Sequence, residues 1–68
     1  MGSMKAAHVL THPIRTEILG LLAEMEATPD EVRRHLPCAP SQATVAYHLA
    51  VLERAGLIER VGGVYRLR

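Results

Sequence analysis

Residues 41–68 read SQATVAYHLAVLERAGLIERVGGVYRLR, and a change of rhythm inside this stretch decides the fold. Up to Arg54 the apolar residues keep a helical period, with Val45, Leu49 and Leu52 on one face. Ser41 has the side chain of an N-cap, and Gly56 suits the position just past the last turn, where a left-handed φ is needed. These signals predict a helix over 41–55. After Gly56 apolar and charged residues alternate around Gly62-Gly63, a pair suited to a two-residue primed turn. The reading is a hairpin, with Ile58 and Val61 bordering its first strand and Val64, Tyr65 and Leu67 in its second.

Upstream, TPDE at 28–31 offers Thr28 as N-cap, Pro29 at N1 and Glu31 at N3. That is a capping box, with acidic residues at the positive end of the helix dipole. The short helix it opens turns Val32 and Leu36 inward and stops at Pro37; PCAP at 37–40 is a tight connection. Further back, Ile14, Ile18, Leu21, Leu22 and Met25 share one helical face, and Pro13 suits a first turn. Gly20 lowers the propensity of that helix by about 1 kcal/mol, and close packing by another helix is the expected reason. Residues 4–11 are read as a short preceding helix carrying Val9 and Leu10. The predicted order is helix, helix, short helix, helix, hairpin.

Length and composition bound the function. A chain of 68 residues makes one small domain, and without Phe or Trp its core must be aliphatic. Cys38 is the sole cysteine, so no internal disulfide can form, which fits a reducing cytoplasm. Small domains lean on metals, disulfides or partner subunits, so a homodimer or a larger parent protein is expected. Residues 1–3 read as an expression scar and 4–68 as the domain. There is no signal-peptide core and no membrane-length apolar run. The net charge is only +1, but residues 1–40 sum to −1 and residues 41–68 to +2, so a polyanion would meet the second half.

Two helices joined by a turn of about four residues make a helix-turn-helix, and a hairpin directly after the second is its wing. The fold class expected is mainly α with a small β-hairpin: a winged helix-turn-helix with a three- to four-helix core. LTHPIRTEILGLL resembles the first helix of ArsR-type bacterial regulators. SQATVAYHLAVLERAGLIERVGGVYRL resembles their recognition helix and wing, with the H-L-x-V-L-x-x-A-G-L-I core. The resemblance covers residues 10 to 67 and is partly shared with MarR-like regulators. It implies a cytoplasmic, nucleoid-associated prokaryotic transcription regulator, a repressor, whose partner is double-stranded DNA.

The residues support that implication on physical grounds. The major groove, about 12 Å wide, admits one α-helix, whose N-terminal residues reach base edges. With Val45, Leu49 and Leu52 in the core, Gln42, Ala43, Ala46, Tyr47 and Ala50 face outward. Gln42 can pair with adenine N6/N7, alanine methyls can meet thymine methyls, and Tyr47 can stack on sugar or donate to phosphate. Ser41 and Thr44, with the first backbone N–H groups, suit a phosphate oxygen. Arg54, Arg60, Arg66 and Arg68 supply salt-dependent attraction. His48 belongs to the edge of the core, and Arg15 is expected to pair with a carboxylate, with a phosphate contact as the alternative.

The departures from the resembled family are informative. Its members often carry serine or a basic residue where Ala43, Ala46 and Tyr47 stand, so few base contacts are expected. The Gly-Gly wing tip offers no side chain to the minor groove. The C-terminal helix that completes the family's dimer interface has no counterpart before Arg68. The chain is therefore read as a domain of a longer protein or one that dimerises differently. Metal sensors of that family use Cys-x-Cys clusters or Asp/His sets that are not found here; His8 with His12, or His35 with Cys38, would supply only two of four Zn²⁺ ligands. No metal, cofactor or small-molecule substrate is expected. No nucleophile–base pattern, phosphate-binding loop or carboxylate pair suggests catalysis, and an enzyme is not expected. The competing reading is a winged helix that binds another protein, favoured by the near-neutral charge.

Overall fold

The computed structural model describes residues 10–68. Three helices, α1 (Pro13–Leu22), α2 (Pro29–His35) and α3 (Gln42–Arg54), precede an antiparallel hairpin of β1 (Ile58–Val61) and β2 (Val64–Leu67). This is the winged helix-turn-helix expected, mainly helical, with three helices among the described residues. The preceding helix read over residues 4–11 lies mostly outside them, as do the residue 1–3 boundary, Lys5 and His8; Leu10 and Thr11 stand in a turn.

Local chemistry sets each boundary. His12 caps α1, its Nδ1 accepting the Ile14 N–H at 3.3 Å, with Pro13 at the first position. Thr28 and Glu31 form the reciprocal capping box: Thr28 Oγ1 accepts the Glu31 N–H at 3.2 Å, and Glu31 Oε1 accepts the Thr28 N–H at 2.9 Å. Those bonds, the backbone one first, hold the Glu31 carboxyl below its ordinary 4.5. Ser41 caps α3 by accepting the Thr44 N–H at 3.1 Å. Gly56, Gly62 and Gly63 all have positive φ, at 78°, 60° and 85°. The two consecutive values at the hairpin tip are those of a primed turn, whose twist matches the strands.

The core joins every element. Ile18 and Leu22 of α1, Val32 of α2, Val45, Leu49 and Leu52 of α3, and Ile58 and Tyr65 of the hairpin are buried together with Ala27 and Leu36. Ala27 is fully buried and forms a one-residue antiparallel bridge with Tyr65. Its N–H donates to the Tyr65 carbonyl at 3.1 Å, and the Tyr65 N–H donates back at 2.7 Å. The segment between α1 and α2 thus lies along the wing, fixing the hairpin relative to the helices.

Two details depart from the sequence reading. The helical face predicted to run through Met25 stops at Leu22, and Met25 is exposed. Glu24 and Met25 still send their N–H groups to the Leu21 carbonyl, but the chain must then straighten for Ala27 to meet Tyr65. Gly20 is not a packing contact: a Cβ built there meets nothing within 4 Å.

Candidate nucleic-acid interface

Burial of Val45, Leu49 and Leu52 fixes the rotation of α3 and so decides what its other side presents. Ser41, Gln42, Ala43, Ala46 and Tyr47 are exposed, while Thr44 and Ala50 are half-buried at the margins. Tyr47 is 60% exposed. Thr44 Oγ1 takes the Ser41 hydroxyl at 3.0 Å, so the two hydroxyls at the helix start are already linked. On the side toward α2, Gln42 and Ala46 line a shallow groove with Thr28, Pro29, Asp30 and Arg33. Asp30 there is neutralised by Arg33 at 3.2 Å and Arg34 at 3.3 Å.

The arginines are not equivalent. Arg54 stands two turns after Tyr47 on the same helix and is exposed, with no ion pair among the described residues. Arg60 is exposed on β1, its guanidinium carbon 5.6 Å from the Tyr65 ring centroid opposite it in the hairpin. Arg66 faces Glu59 across the ladder and binds it at 2.6 Å, with Glu26 at 3.6 Å. The Glu59 hydrogen bond and charge hold the Arg66 guanidinium protonated even beyond its usual range. Arg66 is therefore largely neutralised, which the sequence did not reveal.

The other unforeseen feature joins α1 to α3. Arg15 Nε donates to His48 Nδ1 at 3.1 Å, where a carboxylate partner was expected. His48 is buried at 5% exposure, and its ring lies 4.4 Å from that of His12 and 5.2 Å, edge-on, from that of Tyr47. The Arg15 guanidinium carbon lies 5.9 Å from the Tyr47 ring centroid. Burial first, and then the positive potential of His12 and Arg15, lower the His48 pKa below 6.5, so the ring is neutral near pH 7. An Nδ1 that accepts requires the proton on Nε2.

Among the described residues no three His, Cys, Asp or Glu side chains gather to hold a metal ion, and no helix is long and apolar enough to cross a membrane. His35 is bonded through Nδ1 to the Glu31 carbonyl at 2.8 Å, and Cys38 is exposed.

Comparison with curated proteins and comparison with solved structures each gave no match. A family profile described as a helix-turn-helix domain matches residues 10–61, which run from the turn before α1 through β1. The match takes in the whole two-helix unit whose second member carries the exposed face described above. With most of its length so matched, the chain belongs to the helix-turn-helix domain family.

Proposed function

We propose that the protein binds double-stranded DNA sequence-specifically, with α3 in the major groove and the hairpin along the backbone, and that it represses transcription by occupying a promoter. The observation that carries this reading is the outer face of α3: Gln42, Ala43, Ala46 and Tyr47 stay exposed while Val45, Leu49 and Leu52 anchor the same helix in the core. Gln42 reads adenine, the alanine methyls meet thymine methyls, and Tyr47 contacts sugar or phosphate. Ser41, Thr44 and the free N–H groups of α3 bind a phosphate oxygen. Arg54 and Arg60 lead the attraction to the backbone, with Arg66 secondary because of its carboxylates. A homodimer would place two such helices about 34–36 Å apart on a pseudo-palindromic site in a prokaryotic nucleoid.

Arg66's two carboxylate partners and the net charge of +1 favour one rival, a winged helix that binds another protein. Salt dependence separates the two. Fluorescence anisotropy with duplexes selected from a random pool should show affinity falling steeply between about 50 and 200 mM salt. Absence of duplex binding at low salt would overturn the DNA reading and favour the rival.

A further inference from the structure

The outer face of α3 has a gap in its chemistry: from Ser41 to Tyr47 it carries no cation. Arg33 borders the face but is paired with Asp30, and a second positive charge comes from α1. Arg15, in the first turn of α1, lies beside Tyr47 at the exposed margin of α3. Its Nε is committed to His48 Nδ1, while Nη1 and Nη2 have no partner among the described residues. A guanidinium fixed through Nε presents those two nitrogens as a fork, the geometry that suits a phosphate.

We propose that Arg15 is a phosphate anchor of the DNA interface and that His48, in its neutral form, is the positioning residue that aims it. The proposal rests on the DNA-binding reading above and extends it to a residue outside the helix-turn-helix pair. His48 does not touch DNA. It is buried under Tyr47 and Arg15, and its unprotonated Nδ1 gives Arg15 a fixed acceptor 33 residues away in sequence. Among the described residues the groups facing His48 are Arg15 from the first turn of α1, His12 from its N-cap and Tyr47 from its own helix; α2 and the hairpin contribute no charge to it. Protonation would turn the acceptor into a donor and set the imidazolium against the Arg15 guanidinium it faces. Arg15 would leave its place, and the fork would lose its aim.

The test uses the full chain and a duplex recovered by selection with the wild-type protein, with folding of each variant checked by circular dichroism. Arg15→Gln should weaken binding roughly tenfold and reduce the salt slope by about 1, the signature of one lost phosphate contact. Arg15→Lys, which keeps the charge and serves if the glutamine variant does not fold, should retain most of the slope but bind more weakly for want of the fork. His48→Asn places an amide oxygen where Nδ1 stood and does not titrate. It should match wild type at about pH 7.5, and as acidification carries His48 through its lowered folded pKa wild type should lose affinity several-fold relative to it. Repeating the comparison in a His12→Asn background takes the neighbouring ring, 4.4 Å away, out of the ratio. A folded Arg15→Gln variant with an unchanged salt slope, or identical pH profiles for wild type and His48→Asn, overturns the proposal while DNA binding stands. Wild-type protein that binds no duplex at low salt removes the DNA reading and this proposal together.

Discussion

Arg15 of α1 and His48 of α3 are joined by a 3.1 Å hydrogen bond in which a buried, neutral imidazole is the acceptor. The bond ties the helix that carries the outer face to the helix behind it. It also makes the fold sensitive to acid. The folded-state pKa of His48 lies below 6.5, so the unfolded chain takes up a proton first as pH falls. Stability from this site is therefore complete above about pH 6.5 and is lost as pH drops toward the folded value. Urea denaturation from about pH 7.5 down to 5 should show the midpoint falling in wild type and less so in His48→Asn. Equal slopes for both would contradict the assignment.

The bridge between Ala27 and Tyr65 should be sensitive to side-chain volume. Ala27 is fully buried where the chain meets the wing, so Ala27→Leu should cost about 1–3 kcal/mol by overpacking. Thermal or urea unfolding reads this directly. A variant as stable as wild type would mean that the chain beside β2 has room the structure does not show.

Glycines at different places should respond in opposite directions. Gly62 and Gly63 have positive φ and open space around them, so an alanine at either should cost about 1–2 kcal/mol of backbone strain alone. Gly20 sits exposed in α1 with nothing near its missing Cβ, so Gly20→Ala should stabilise by about 0.5–1 kcal/mol. Destabilisation by Gly20→Ala would restore the packing role that the sequence alone suggested.

The capping box at the start of α2 is separable by substitution. Thr28→Ala removes one of its two bonds and should cost about 1 kcal/mol. Glu31 contributes above its ordinary 4.5, and that contribution fades as pH falls through its lowered folded value. Glu31→Gln, which keeps an acceptor but does not titrate, should therefore flatten the acid limb of a stability–pH curve. An unchanged acid limb would mean that other carboxylates dominate it.

Arg54 and Arg66 should differ in their effect on DNA binding. Arg54 has no carboxylate partner among the described residues, so Arg54→Ala should reduce the salt slope by about 1. Arg66 is bound to Glu59 and Glu26, and Arg66→Ala should reduce the slope by less. Gln42→Ala should instead relax preference at one base position, at about 1–3 kcal/mol. A larger slope change from Arg66 than from Arg54 would place the wing closer to the backbone than α3.

What could be read from the sequence was what local chemistry decides. Thr28, Ser41, Pro13 and Gly56 act within four residues of themselves, and each stands where its side chain or φ predicted. The period of Val45, Leu49 and Leu52 likewise fixed which side of α3 faces out. Ala27 escaped notice because a one-residue bridge has no period. The continued apolar spacing to Met25 misled for the same reason, since the bridge, not the helix, governs that segment. The Arg15–His48 bond and the Arg66 ion pairs join positions whose meeting depends on the assembled fold. Charge alone suggested a carboxylate for Arg15, whereas burial beside α3 supplied a neutral imidazole.

In the proposed complex the outer face of α3 meets DNA. Titrating a selected duplex into isotopically labelled protein and following backbone amide shifts tests it residue by residue. The largest changes are expected at Ser41–Tyr47 and Arg54, with further changes at Arg15 and Arg60. Saturable changes confined to other surfaces, with the amides of Gln42 to Tyr47 unmoved, would contradict it.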